Sequence, residues 1–214
     1  MKQALSVAAC LGIGYVCGSL PWGLWLGRWF RGVDVRELGS RNLGATNVFR
    51  TLGPGLGLAT LALDILKGAL PVWIVPQLPI AAAFPGGREV CALAVALAAI
   101  AGHVWTFLAG FKGGKGVATT VGALLAIAPL AFLAFALVFV VAVATTRYIS
   151  LGSILGAVAF ALALAWLAPG GVRSPTFVFG VVVAALVIVR HRENIQRLLA
   201  GTERRFQWSR GGGT

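Results

Sequence analysis

Charge is scarce in this chain, and acid is scarcer still. Of its 214 residues only 11% are charged, and six Asp+Glu face eighteen Lys+Arg, a formal net charge of +12. Soluble domains carry roughly 25% charged residues, so polar side chains are too few here to cover a soluble core. Disorder is excluded for the opposite reason, because 58% of the residues are apolar. Cysteine is nearly absent too. Cys10, Cys17 and Cys91 all lie in apolar runs with no C-x-x-C spacing and no histidine neighbour. Neither a disulfide framework nor a zinc site is indicated. What remains is an integral membrane protein, with about 20 residues per crossing. The positive charge then reports sidedness before it reports any nucleic acid.

The apolar runs are Ala4–Gly27, Gly55–Ile80, Glu89–Gly110, Val117–Ala144, Ile149–Ala168 and Thr176–Val189. Val7-Ala8-Ala9-Cys10 loosely resembles a lipoprotein cleavage box, but the apolar stretch continues past the cysteine, so the sequence predicts a first membrane helix. Taken at face value there are six spans. Basic residues gather in three places: the segment Arg28–Pro54, the link Phe111–Gly116 with Lys112 and Lys115, and the tail from Arg190. The positive-inside rule wants all three in the cytoplasm. From the lysine link to the tail the chain must then cross an even number of times. Three runs remain, so one must divide. The long run Val117–Ala144 would be about 42 Å as one helix, against a hydrocarbon core of about 30 Å. Splitting it near Pro129 satisfies parity, and leaves only Lys2, Arg88 and Arg173 outside. The expected fold is therefore all-α, with seven transmembrane helices, the N-terminus outside, the C-terminus cytoplasmic and the polar loops on the cytoplasmic side. The piece Val117–Ala128 is too short for a full crossing and should be thin, tilted or re-entrant. No internal repeat or linker divides the chain, which reads as one domain over residues 1–214. Gly211-Gly212-Gly213 is expected to be a frayed tail.

Three polar constellations interrupt the apolar pattern. In the first, between Asp34 and Arg50, Ser40, Asn42, Thr46 and Asn47 offer donors and acceptors, and Arg50 offers a planar fork suited to phosphate. A loop that merely sets topology would explain the arginines but not Ser-x-Asn-x-Gly-x-Thr-Asn between them. The second is the glycine turn, where Gly113, Gly114 and Gly116 can aim backbone N–H groups to one side as an anion nest. Lys112 and Lys115 add charge, and a helix starting near Val117 adds its positive end. A Walker A pattern is absent. A flexible basic turn is the plain alternative. The third, His191 to Glu203, follows the last span directly. On a continuing helix His191, Asn194 and Ile195 share one face, and Asn194, Arg197 and Leu198 another. An amphipathic interfacial helix is the plain alternative there. Inside the second span Asp64 and Lys67 are three apart and can pair. Ser150 and Ser153 open the run at Ile149, where helix capping is the simplest role.

In chain order, Gly18-Ser-Leu-Pro21, Asp34-Val-Arg, Gly39-Ser-Arg-Asn-Leu-Gly-Ala-Thr-Asn47, Arg50, Asp64-x-x-Lys67-Gly68, Gly102-His, Phe111-Lys-Gly-Gly-Lys-Gly-Val-Ala-Thr119, Ser150-Leu-x-Ser153 and His191-x-x-Asn194-Ile-x-Arg197 to Glu203 closely resemble the bacterial acyl-phosphate:glycerol-3-phosphate acyltransferases, the PlsY family. The resemblance runs from Gly18 to Glu203. It implies a seven-helix membrane fold in the bacterial inner membrane with a cytoplasm-facing site. The implied reaction is transfer of a fatty acyl group from acyl phosphate, not acyl-CoA, to the 1-hydroxyl of glycerol 3-phosphate, the first membrane step of phospholipid synthesis. It implies functional roles for Ser40, Arg50, the turn Gly113–Gly116 with its lysines, Ser153, His191, Asn194 and Glu203. Ser40, Arg50, His191 and Asn194 are taken as the catalytic set. Asn42, Thr46, Asn47, Lys112, Gly113, Gly114, Lys115, Gly116, Ser150 and Ser153 are taken as substrate- and phosphate-binding, with Asp64, Lys67 and Glu203 as support. Expected partners are the two substrates, membrane lipid and a soluble enzyme that makes acyl phosphate. No metal, cofactor or nucleic acid is expected. Arg41 departs from the family's Gly-Ser-Gly-Asn.

A Ser-His-Asp set is not required by this chemistry. The His-x4-Asp pair of many glycerolipid acyltransferases is missing, since Leu108 follows His103 by five residues and Gln196 follows His191 by five. The hydroxyl proton can pass to a substrate phosphate oxygen, with His191 as the rival acceptor. A carrier for a phosphorylated solute would need binding groups on both sides of the membrane, and the outer side offers little. A phosphotransferase acting on CDP-lipids would want clustered aspartates for metal, whereas Asp34 and Asp64 stand alone.

Overall fold

The computed structural model describes residues 1–207, and every regular element among them is helical. The expected tail at Gly211–Gly213 lies outside the described residues. Contacts divide the chain into two compact units, Met1–Ile127 and one beginning at Ala128.

The first unit holds α1 (Lys2–Gly18), α2 (Trp22–Arg31), α3 (Ala45–Leu52), α4 (Pro54–Ile74), α5 (Gly87–Val104) and α6 (Val117–Ile127). The apolar run Ala4–Gly27, read as one helix, is interrupted at Ser19-Leu20-Pro21. Pro21 has no N–H to continue the helical ladder, and α2 starts afresh behind it. Gly32, at φ +65, ends α2 in the left-handed conformation. Helix α1 turns a stripe of small residues inward: Ser6, Cys10, Gly14 and Gly18 are its buried positions. A Cβ on Gly14 would meet the Val95 carbonyl, and one on Gly18 that of Ala99. Helices α1 and α5 therefore run side by side in one direction with their backbones almost touching. Gly68 of α4 lies against the Thr119 carbonyl of α6, and Gly122 of α6 against that of Ile65.

The second unit holds α7 (Pro129–Thr146), α8 (Ile149–Leu167), α9 (Pro175–Arg190) and α10 (Arg192–Leu199). Pro129 and Pro175 each occupy the first helical turn, where a missing N–H costs nothing. Ser174 caps α9 by accepting from the Phe177 N–H at 3.0 Å. Gly152 and Gly156 let α8 close on Phe139 and Phe135 of α7.

Among the described residues five helical stretches are long and apolar enough to cross a membrane, or six if α9 and α10 count as one bent span. The run Val117–Ala144 is broken at Ala128, as the parity argument required, and α6 has only 11 residues. At 1.5 Å per residue it is about 17 Å long. The helix expected to continue through His191 does not: α9 and α10 meet at 60°.

Gly68→Ala should drive α4 away from α6 and lower stability by about 1–3 kcal/mol. Gly12→Ala, where nothing lies within 4 Å, should leave it unchanged. Thermal unfolding of both variants in detergent reads the difference.

Candidate active site

The first polar segment is folded around Asn47, which is buried. Its Oδ1 accepts from the Ser40 N–H at 2.8 Å. Its Nδ2 serves the carbonyls of Val35 (3.1 Å), Leu38 (3.1 Å) and Asn42 (2.9 Å). Asn47 thus shapes the loop with both ends of its amide. Asn42 Oδ1 closes a local turn by accepting from the Gly44 N–H at 2.8 Å. Upstream, Asp34 bonds the Arg36 amide at 2.9 Å and pairs with Arg36 (2.6 Å) and Arg28 (3.0 Å). The Arg36 side chain is the main force holding the Asp34 carboxyl well below the usual carboxylate range. Its own amide and Arg28 add to this against partial burial. Ser40 and Arg50 are exposed, and Thr46 is half-buried in the first turn of α3. Arg41, the departure from the family pattern, has φ +57. It keeps the left-handed backbone that glycine would adopt freely, at a cost of roughly 1–2 kcal/mol.

The glycine turn differs from the expected nest. Two of its amides close the end of α5: Gly113 N–H donates to the Val104 carbonyl at 3.1 Å and Gly114 N–H to that of His103 at 3.2 Å. Gly116 has φ +84, and α6 begins after it. Lys112 is exposed and Lys115 half-buried. This turn adjoins the first loop. Arg36 Nη1 reaches the Ala109 carbonyl at 3.4 Å, and Leu24, Leu43 and Ala109 form one buried cluster.

Below them lies a charged group within the apolar interior. Lys67 Nζ is 2.8 Å from Asp64 Oδ1, and the two side chains are 3% and 2% exposed. Lys67 also donates to the Leu20 carbonyl at 2.6 Å. His103 Nδ1 lies 3.8 Å from Asp64 Oδ1. In the sequence His103 stands out only as a histidine without a His-x4-Asp partner, and its approach to Asp64 emerges with the fold. The one available signal is that Asp64 and His103 are both polar residues in apolar runs, which marks each as unusual without pairing them.

In the second unit Glu203 is the hub. Its Oε1 accepts from Ser150 Oγ at 2.7 Å and Asn194 Nδ2 at 2.6 Å, and its Oε2 from Arg197 Nε at 2.7 Å. Gly201, at φ +67, turns the chain back so that Glu203 can reach them. Neither serine caps α8. Ser150 is taken by Glu203, and Ser153 Oγ bonds the Ile149 carbonyl of its own helix at 2.9 Å. His191 is buried at the bend, with Nδ1 2.8 Å from the Val187 carbonyl. A carbonyl can only accept, so Nδ1 carries the hydrogen, and the lone pair of the neutral ring is on Nε2. Arg197, which the helical spacing places on the Asn194 face, is a further member of this group: its Nε–H holds Glu203 Oε2 in place. Among the described residues no three of His, Cys, Asp and Glu gather closely enough to hold a metal ion.

Burial pushes the Glu203 carboxyl up, but the bonds from Ser150, Asn194 and Arg197 and the Arg197 charge outweigh it and leave the carboxyl below its ordinary value. Its stabilising contribution is therefore complete above the unfolded pKa of about 4.3 and lost as pH falls through the lower folded value. Glu203→Gln should cost about 1–3 kcal/mol at pH 7. That difference should shrink on acidification below about pH 4, as measured by unfolding of both proteins across pH.

Residues 8–201 match the glycerol-3-phosphate acyltransferase family. A glycerol-3-phosphate acyltransferase of Geobacter sulfurreducens is 50% identical over 196 residues, covering 91% of this chain and 95% of that protein. One from Chlorobaculum parvum is 41% identical over 229 residues, covering 96% and 99%. Among solved structures, the glycerol 3-phosphate form of PlsY, an integral membrane glycerol 3-phosphate acyltransferase, superposes with a TM-score of 0.83 at 37% identity, covering 94% of this chain and 96% of that one. Its lysophosphatidic acid form superposes with a TM-score of 0.81 at 36% identity, covering 95% and 96%. With a helical membrane fold, the ordered polar motifs and these relatives in agreement, the chain belongs to the PlsY family of integral membrane glycerol-3-phosphate acyltransferases.

Proposed function

We propose that this protein transfers a fatty acyl group from an acyl phosphate to the 1-hydroxyl of sn-glycerol 3-phosphate, giving lysophosphatidic acid and inorganic phosphate. The observation that carries the reading is the likeness, over nearly the whole chain, to a PlsY enzyme with a glycerol 3-phosphate form and a lysophosphatidic acid form. One is the acyl acceptor and the other its acylated product. The donor follows from the motif resemblance and the chemistry. Acyl phosphate is a mixed anhydride with a good leaving group, and the missing His-x4-Asp pair argues against the acyl-CoA route.

In the reaction the 1-hydroxyl oxygen attacks the acyl carbonyl carbon. The bond from that carbon to the phosphate oxygen breaks, and phosphate leaves with the electron pair. The hydroxyl proton passes to a phosphate oxygen of the substrate. The protein's task is to hold two anions and align a hydroxyl with a carbonyl. Alignment of this kind supplies several kcal/mol, up to roughly 7–11 at the extreme. We assign phosphate holding to Arg50, Lys112, Lys115 and the N-terminal end of α6, with Ser40, Asn42 and Thr46 as polar contacts. Asn47, Asp64, Lys67, Glu203 and Ser150 position their neighbours. We also give parts to Ser153, His191 and Asn194, with His191 as a hydrogen-bond donor that orients substrate. Donors aimed at the developing oxyanion and the departing phosphate stabilise the transition state.

The whole chain acts as a single acyltransferase domain, a reading supported by a family match that runs through both compact units. We assign seven crossings with the N-terminus outside and the C-terminus in the cytoplasm of a bacterial cell, the polar loops facing inward. The break before Pro129 and the shared direction of α1 and α5, the first and third crossings, support that topology. A soluble enzyme supplies the acyl phosphate.

Purified protein should form lysophosphatidic acid from palmitoyl phosphate and glycerol 3-phosphate without added metal. Equal or faster product formation from palmitoyl-CoA would overturn the donor assignment. His191→Gln should retain measurable kcat, and its acidic limb should follow the second ionisation of phosphate near pH 6. A general base at His191 would instead make the loss about 10²–10⁴-fold. A folded, substrate-binding variant with no turnover would establish the histidine as the base.

A further inference from the structure

The buried charges of α4 have no part in the bond-making just described, yet keeping them in an apolar interior is costly. A buried ion pair can often be exchanged for apolar residues with no loss of stability, so stability alone does not account for it. Its geometry offers another account. Lys67 reaches out of α4 to the Leu20 carbonyl, at the elbow between α1 and α2. Thr106, just past α5, donates to the next carbonyl of that elbow, Ser19. His103, on the last turn of α5, approaches Asp64 from the other side. Three helices meet on one pair of charges.

Two active-site segments rest on this junction. Gly114 lies so close to His103 Nε2 that a Cβ at this position would run into the ring. The Gly113 and Gly114 amides are tied to the carbonyls of Val104 and His103. On the other side, Gly23 of α2 packs directly on the Leu43 carbonyl of the first loop. Ser19, Leu43, Asp64, Lys67, His103 and Gly114 together line one cavity of about 10 Å³. That is the size of about one water molecule and far too small for a substrate.

We propose that Asp64, Lys67 and His103 are positioning residues, which set the glycine turn against the first loop and thereby fix where a substrate phosphate is held. The inference rests on the reading that this turn holds a phosphate. In Asp64→Leu/Lys67→Met the charges go and the packing volume is roughly kept, so the protein should fold with an unchanged thermal midpoint. Its KM for glycerol 3-phosphate should rise about tenfold or more, with kcat within about threefold, because a displaced turn weakens ground state and transition state alike. Hydrogen exchange at the Gly113 and Gly114 amides should quicken about tenfold. His103→Asn keeps an N–H in place of Nδ1 and should recover most of the affinity that His103→Leu loses; a packing role would favour leucine. A double variant with wild-type KM or wild-type exchange overturns the proposal, and so does His103→Leu matching His103→Asn. If the double variant does not fold, the two His103 variants decide by the same readouts. If the unaltered protein makes no product from glycerol 3-phosphate, the functional reading fails, and the exchange rates alone decide whether the cluster positions the turn.

Discussion

Backbone polarity without water is the constraint on which this structure depends. Inside a bilayer each unsatisfied N–H or carbonyl costs several kcal/mol, so the crossing segments must be helical and irregular backbone must find its partners within the protein. The proposed function demands irregular backbone, because a phosphate needs donors that are not already spent in a helix. The chain reconciles the two with a few fully used polar side chains. Asn47 gathers four backbone groups of the first loop. Glu203 gathers three side chains around the bend at His191. Lys67 and Thr106 take the carbonyls left over where Pro21 stops α1 from continuing into α2.

Acid placement follows the same logic. Only six acids are available against eighteen basic residues. Three of them are committed to the scaffold: Asp34 to Arg28 and Arg36, Asp64 to Lys67, and Glu203 to Arg197. Each holds a cation whose work is architectural. The remaining surplus is positive, which suits a protein whose proposed substrates both carry phosphate and approach from the bilayer surface.

Much of this was legible in the sequence, because it was written in composition and periodicity. The helical membrane class followed from the missing charge, and the break before Pro129 from parity and from a run too long for the bilayer. The Asp64–Lys67 pair followed from a spacing of three in an apolar run. What stayed hidden depends on approach between distant segments. Nothing local marks His103 as a neighbour of Asp64, 39 positions earlier, or shows that Ser150 is claimed by Glu203 instead of capping its own helix. The turn at Gly113–Gly116 looked like an open nest because sequence does not show which carbonyls compete for its amides. The α5 carbonyls of His103 and Val104 win that competition.

That competition changes how the glycine turn should be understood. Glycines there are required less for presenting every N–H to an anion than for letting the chain fold back onto the end of α5. Gly113 would strike the His103 carbonyl with any side chain, and Gly114 the imidazole itself. The amides nearest α5 are held by the scaffold, so in the proposed function the anion-facing task falls to Lys112, Lys115 and the first turn of α6. Under the proposed function, a turn fixed by α5 with cationic side chains beside it suits a site that holds a phosphate and then releases one. The fixed turn sets where the lysines start from, and their charges supply an attraction that salt screens. Arg41 shows how firmly the backbone is specified by its surroundings. The first loop has a left-handed residue at that position although the sequence supplies arginine there, because Asn47 holds the Ser40 amide on one side and the Asn42 carbonyl on the other.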